Sequence, residues 1–389
     1  MRDRDLTLLL CTALAVRLWL AFTNPGASYD IESYRIQAEA LLSGQNIYTA
    51  TFRYPYPPLW MYAPAAALSL SKWTNLPFHF WVKLPAVVAD LGIGWLLFRW
   101  PQPRSAISGR ARATLYLFNP VSLLISAAHG QFDAAVIFFT LLAARFLIGH
   151  KNWSNVIGSA LSLGVAIALK GFPVLLLPVF VLTLSSRYHA LLYVVLVGSV
   201  FGLVVLPYLA VSGRRILTII LVYNSTPDHS YAYLLNNLTS SSRQWLDVAR
   251  STSRWLQGGA TAITTLLVLI HRWPLEWRIT LVLLAVYAVS PGLASQQMVW
   301  VLPFLILTRH RSIWIYTTVS SLALIWFYGQ YFPTVILLST PWSGEAIAVL
   351  RLGIEAGWWL SVVGILLTLR LDYPVSDAQL VDKSQSITI

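Results

Sequence analysis

The sequence predicts an all-α protein that crosses the membrane many times, and three observations carry that prediction. Hydrophobic residues make up 57% of the 389 residues and charged ones only 11%, where a soluble globular chain carries about 25% charge. Apolar runs such as "LTLLLCTALAVRLWLAF" recur along the chain, as spanning helices require. Seventeen Trp and eighteen Tyr suit the aromatic belts of membrane–water interfaces. The formal charge of +12 does not point to nucleic acid, because the basic residues stand between apolar runs, where they orient helices. The one cysteine, Cys11, lies inside the first run, so no intrachain disulfide forms and the redox compartment stays open. That run lacks a small-residue cleavage site and reads as a span, not a signal peptide. No internal repeat or low-complexity segment stands out.

Twelve runs are candidate spans: 6–22, 81–98, 113–128, 134–149, 154–169, 172–185, 189–211, 259–271, 279–292, 297–308, 313–330 and 347–369. Several fall short of the ~20 residues a bilayer needs, so their ends reach into the flanking loops. Alternation from a cytoplasmic N-terminus puts Arg99, Arg104, Arg110, Arg112, Lys151, Arg187, Arg272, Arg278, Arg309 and Arg311 inside. Among short loops only Lys170 is left outside, a positive-inside pattern. The parity requires "YPPLWMYAPAAALSLS", residues 56–71, to add no net crossing. It reads as a re-entrant or interfacial helix, a thirteenth membrane segment, with Pro57 and Pro58 opening its first turn. The expected organisation is a first transmembrane helix at 1–22, an outer loop with surface helices at 23–80 and a transmembrane core at 81–211. A second outer loop at 212–258, C-terminal transmembrane helices at 259–369 and a cytoplasmic tail at 370–389 follow. The unusual polar residues thereby fall on one face, in the two long loops and in "HGQFD" (129–133), "KGF" (170–172) and "SPGLASQQ" (290–297).

The stretch "SYDIESYR", residues 28–35, gathers Asp30, Glu32 and Arg35 in a chain that otherwise avoids charge. Tyr34, Ala38, Leu41 and Leu42 make one apolar stripe and Gly44 a stop, which predicts a short amphipathic helix on the membrane surface. Asp30 suits its N-cap, and a carboxylate fixed at a helix start is also a well-placed general base. Asp90 lies within an apolar span two turns after Lys83, and a structural pairing of the two is favoured over a catalytic role. His129 and Asp133 stand four apart, a spacing that can bind a metal. No CxxC or HExxH companion supports one, and substrate hydrogen bonding is the preferred reading. Lys170, at the tip of an apolar hairpin, either snorkels to the interface or meets a lipid phosphate. Arg214 and Arg215, opening the second outer loop, have the same choice. Arg243, Arg250 and Arg254 recur at helical spacing in "SSRQWLDVARSTSRWLQ" and predict a surface helix among lipid headgroups. Gln296 and Gln297 head a span from outside, as caps or as binding residues, and Arg17 is expected to snorkel outward.

In this order "YDIESYR", "YPYPPLWMY", "KLPAVVAD", "HGQFD", "ALKGFPVLLLPVF" and "SQQMVWVLPF" resemble the GT-C membrane glycosyltransferases over roughly residues 10–310. Within them the chain is most similar to the glucosyltransferases that extend lipid-linked N-glycans and to bacterial mannosyltransferases. The resemblance implies the GT-C fold and a polyprenyl-phosphate sugar donor. It also implies inverting transfer of a hexose, mannose first and glucose second, to a glycolipid or lipid-linked oligosaccharide at the outer face of the cell membrane. Asp30 would be the catalytic base and Arg35 a basic residue of the following helix. His129 and Gln131 would lie near the donor sugar and phosphate, and Lys170 would match a hairpin lysine. Gln296 and Gln297 depart from a "HEK"-like stretch of eukaryotic members, and Asp133 stands where they carry Asn. Glu32, Arg214 and Arg215 complete the donor- and acceptor-binding candidates. Some relatives use a divalent metal, and no ligand set in this sequence demands one. The absence of a nucleotide-binding fingerprint argues against a nucleotide-sugar donor. The rival is a flippase or transporter of lipid-linked sugars, which predicts ionisable groups at several depths; here Asp90 is the main deep carboxylate.

Overall fold

Apolar runs free of breakers become long helices. A computed structural model describes residues 2–101, 107–148, 152–213, 215–216, 218, 229–238, 242–270, 273–338 and 344–371. All regular elements among them are helical. Four helices are long and apolar enough to cross a membrane: Arg4–Thr23, Phe78–Phe98, Arg187–Ser212 and Val349–Leu369. The chain is an integral membrane protein.

Helices α1 (Arg2–Thr23), α4 (Phe78–Phe98), α6 (Asp133–Leu147), α7 (Trp153–Leu169) and α8 (Arg187–Ser212) form a row in which each packs on the next. Two shorter helices, α2 (Ser28–Leu42) and α3 (Tyr62–Thr74), pack on each other and on α4, and α5 (Gly109–Leu117) closes against α4 as well. The second half joins α9 (Tyr231–Leu238), α10 (Ser242–Ile270), α11 (Leu275–Val289), α12 (Leu302–Thr308), α13 (Ser312–Tyr331) and α14 (Glu345–Leu371). There α10 packs on α11, α11 on α14 and α14 on α13.

Three expected spans are not single helices, and each break has a chemical cause. The run at 113–128 divides after Leu117, where the Asn119 side chain accepts from the Val121 amide and caps a new turn. Pro120 then opens a segment ending in a π-helical turn, Leu123–His129. Proline also divides 172–185 into a 3₁₀ turn, Phe172–Leu176, and a helical turn, Leu177–Val181, since its ring clashes with the preceding turn. The run at 297–308 is a 3₁₀ turn, Ser295–Val299, followed by α12 with Pro303 in its first turn. Conversely, the surface helix expected around Arg250 is continuous with the span at 259–271, giving the 29-residue α10. Gly258 and Gly259 weaken that helix but do not end it. In α2, Tyr34 and Ala38 are buried as the stripe requires, but so are Ser33 and Gln37, while Leu42 is exposed. The helix lies against protein, with Ala27 at its N-cap, so Asp30 occupies the first turn rather than the cap. Arg104, Lys151, Arg214, Arg272 and the tail from 372 lie outside the described residues.

The buried Asp90 is paired, though not with the expected partner. Arg17 does not snorkel: its Nε donates to Asp90 Oδ2 at 3.0 Å and its other nitrogens reach the Leu117 carbonyl and Ser122 Oγ. The Tyr116 hydroxyl donates to Asp90 Oδ1 at 2.7 Å. Asp90 is therefore structural, but Arg17, not Lys83, is its counterion. The guanidinium serves both Asp90 and the carbonyl end of α5, while the Lys83 amine is bonded to the carbonyls of Asn24 and Ala128. Asp90→Ala leaves the fully buried Arg17 without its charge partner, a loss of about 3–5 kcal/mol. Thermal unfolding in nanodiscs should show a large drop for Asp90→Ala and a smaller one for Asp90→Asn, which keeps an acceptor.

Candidate active site

The site begins with two backbones forced close together. Lys83, buried in α4, donates from Nζ to the carbonyls of Asn24 at 2.7 Å and Ala128 at 2.8 Å. Those carbonyls belong to the segment before α2 and to the π-helical turn. The Ala27 amide adds a bond to the His129 carbonyl at 3.1 Å. The approach is closest at Gly26, where a Cβ would stand 2.6 Å from that carbonyl oxygen. Gly130, at φ +99, ends the π turn where a Cβ would press on Ile31 and Lys83; only glycine takes both the angle and the space.

This closure brings the His129 ring onto Asp30. His129 Nε2 lies 2.6 Å from Asp30 Oδ2, and its Nδ1 lies 2.9 Å from the Tyr328 hydroxyl of α13. A proton on Nε2 satisfies both contacts, with Tyr328 donating to Nδ1. The imidazole is buried, whereas the Asp30 side chain keeps 26% of its surface exposed. Burial pushes the Asp30 carboxyl up, but the hydrogen bond from His129, helped by Gln131 and Lys170, outweighs it. The group is held below the ordinary carboxylate value and is ionised at neutral pH. Gln131 is fixed in turn by the Tyr34 hydroxyl, which donates to its Oε1 at 3.0 Å.

A second charged group faces the other way. Asp133 sits in the first turn of α6, where the helix dipole favours a carboxylate. Lys170 Nζ, at the C-terminal end of α7, bonds both its oxygens at 2.9 Å, so Lys170 does not simply snorkel. The Trp300 indole also donates to Asp133, and Trp300 stacks on Phe172 with centroids 3.4 Å apart. Lys170 further lies against Tyr56 and Phe132, at 5.2 and 5.3 Å from their centroids.

Two cavities meet at this centre. A mostly apolar one of about 600 Å³ runs between α8, with Val194 and Val197, and α10, with Ser253, Arg254 and Gln257, and ends at Lys170 and Trp300. A cleft of about 90 Å³ contains Asp30, Ser33, Gln37 and Arg53. Pro55 and Tyr56 line both. Asp30 and Lys170 thus stand on opposite sides of one thin partition.

Five candidate residues, Asp30, His129, Gln131, Asp133 and Lys170, are brought together here. Glu32 is exposed, and Arg35 pairs with Glu39 at 3.2 Å with both side chains more than half exposed, apart from the centre. Gln297 lines the large cavity, and the half-buried Gln296 does not. Arg215 lies over Phe52 at 4.8 Å, and Arg214 is outside the described residues. Arg254, expected among headgroups, lines the large cavity instead. Tyr328, Trp300, Gln37 and Arg53 escaped the sequence reading. Among the described residues no three His, Cys, Asp or Glu side chains group as metal ligands. With Asp133 taken up by Lys170 and Trp300, these donors do not fit a resident divalent metal.

A family model described as GPI transamidase subunit PIG-U matches residues 20–273, a span that includes Asp30, His129, Asp133 and Lys170. Two crystal structures of ArnT from Cupriavidus metallidurans share the architecture. The one bound to undecaprenyl phosphate has a TM-score of 0.51 at 17% identity, covering 94% of this chain and 75% of that one. The apo structure has a TM-score of 0.51 at 16% identity, covering 94% and 74%. No curated protein matches. The fold is GT-C.

An infrared carboxylate band assigned by its loss in Asp30→Asn should titrate with a midpoint below the ordinary 3.8. Because the folded value is depressed, the ionised carboxylate's contribution to stability is complete above 3.8 and disappears as pH falls through the lower midpoint. A midpoint above 3.8 would contradict the pairing with His129.

Proposed function

This chain belongs to the PIG-U family, and on that premise we propose that it is an inverting GT-C glycosyltransferase. It moves a hexose, mannose first and glucose second, from a polyprenyl-phosphate donor to a glycolipid or lipid-linked acceptor at the extracytoplasmic face. One observation carries the reading: an ionised, partly exposed carboxylate stands across the Pro55–Tyr56 partition from a cationic group at the end of an apolar cavity. The undecaprenyl phosphate held by ArnT supports a lipid carrier of that class, whose chain suits the apolar walls between α8 and α10.

The chemistry follows from the placement. Asp30 takes the proton of the acceptor hydroxyl as its oxygen bonds the anomeric carbon. The bond from that carbon to the phosphate oxygen breaks in the same displacement, so one carboxylate suffices and the centre inverts. His129 occupies Asp30 Oδ2 and leaves Oδ1 for the incoming proton. Lys170, with two N–H groups on Asp133, has a third for the departing phosphate, and such a donor is most useful where charge develops.

A second reading comes from the family description, which names a transamidase subunit: the chain would hold a lipid-linked glycan without transferring it. Purified protein in nanodiscs, given polyprenyl-phosphate mannose and a lipid acceptor extract, separates the two. Asp30→Asn should lower transfer by about 10²–10⁴-fold, the usual worth of a general base, while binding of undecaprenyl phosphate persists. Lys170→Met should raise the KM for donor. Lys83→Met, which touches neither reactant, should lower kcat with donor KM unchanged, since small misplacements cost up to about 100-fold. Equal transfer by wild type and Asp30→Asn would remove Asp30 as base. Carrier binding with no transfer from mannose or glucose donors would favour the holding subunit.

A further inference from the structure

The cleft on the Asp30 side is better furnished than a route for a bare hydroxyl requires. Gln37 is fully buried at its edge. Its amide nitrogen donates to the Arg53 carbonyl at 2.9 Å, and its Oε1 has no hydrogen-bond partner among the described residues, an expensive state for a buried acceptor. The Arg53 guanidinium lies over the Tyr29 ring at 4.2 Å and donates once, to the Tyr29 carbonyl at 3.0 Å. Its Nε is also unbonded, and no carboxylate among the described residues pairs with it. At the rim, Phe52 is 89% exposed and Tyr29 61% exposed. Arg215 adds a second guanidinium, over Phe52.

These features call for one kind of ligand. Exposed ring faces beside buried hydrogen-bonding groups suit a sugar, whose C–H faces are apolar and whose edges are polar. Two arginines without carboxylate partners among the described residues suit a phosphate, which a guanidinium can bind through two parallel hydrogen bonds. We infer that this cleft is the acceptor subsite and takes an anionic saccharide, with its ring against Phe52 and Tyr29, a hydroxyl on Gln37 and its phosphate on Arg53. This rests on the reading of Asp30 as base toward an acceptor hydroxyl. The donor and the acceptor then reach the centre from opposite sides of Tyr56, each with its own cation: Lys170 for the carrier phosphate, Arg53 for the acceptor.

Binding can be tested without turnover. Saturation-transfer NMR on the protein in nanodiscs would compare mannose 6-phosphate with mannose, and phosphorus NMR would follow inorganic phosphate. Mannose 6-phosphate should bind at least about tenfold tighter than either, the worth of one charged hydrogen-bonding contact. Arg53→Ala should reduce it to the level of mannose, and Arg53→Lys should restore only part of the preference, since an ammonium cannot make the two parallel hydrogen bonds. Phe52→Ala should weaken both saccharides, and Lys170→Met should weaken undecaprenyl phosphate alone. Equal affinity for mannose 6-phosphate and inorganic phosphate would reduce the cleft to a headgroup phosphate site, and indifference to Arg53 would remove the subsite altogether. Saccharide binding with no sugar transfer would keep the subsite and discard the transferase. Transfer with no Arg53 dependence would do the reverse.

Discussion

The amine of Lys83 holds the site together. It sits among apolar helices, where neither it nor the carbonyls of Asn24 and Ala128 can turn to water. An unsatisfied buried polar group costs kilocalories, so the three groups have no inexpensive alternative to one another. Their union draws the start of α2 onto the end of the π turn, and Gly26 and Gly130 remove the side chains that would keep those backbones apart. The Asp30–His129 contact follows from this closure. A helix of strict α period through 123–129 would aim residue 129 elsewhere; the wider turn is a small departure from regularity of the kind often found at functional sites.

Five residues then divide the centre in two. Within "HGQFD", His129 turns to Asp30 and Tyr328, while Asp133 turns to Lys170 and Trp300. Between them Gln131 is tied to Tyr34, and Phe132 stacks on Trp60 with centroids 4.0 Å apart. Tyr56 stands edge-on to Phe132 and separates the cleft from the large cavity. Charge is therefore delivered to two sides of one wall by a single loop, anchored at one end by the π turn and at the other by the start of α6.

Asp30, His129, Asp133 and Lys170 were legible in the sequence because a polar side chain in so apolar a chain needs a reason to be there. Their pairing was not legible. Asp90 could be matched with Lys83 by helical spacing, yet its counterion is Arg17, 73 positions away, and no local periodicity reports a contact of that range. Trp300 and Tyr328 were hidden by abundance, since one aromatic among seventeen Trp and eighteen Tyr carries no mark of its own. Arg53 and Gln37 looked like ordinary loop and helix polarity, and only burial separates Gln37 from its exposed neighbour Glu39. Helix existence was read better than helix continuity. Pro178 and Pro303 break runs whose hydropathy is uniform, and the pair Gly258–Gly259 leaves a helix whole although its composition changes there.

The Asp133–Lys170 pair bears on how a lipid carrier could leave after reaction. A solitary lysine at the end of an apolar cavity would be costly when empty and would hold a phosphate strongly in low dielectric. Asp133 offsets both tendencies: it compensates the charge in the empty site, and it opposes the negative charge of an arriving phosphate. On the proposed reading, the phosphate monoester released at the end of transfer carries more negative charge than the diester that entered. Repulsion from Asp133 therefore rises as the reaction completes, and it acts on the product more than on the donor. The same carboxylate is held by the Trp300 indole and sits at a helix N-terminus, so it cannot swing away to relieve that repulsion. A neutral Asn in its place would keep the shape while losing the asymmetry, tightening the spent carrier relative to the sugar-bearing one.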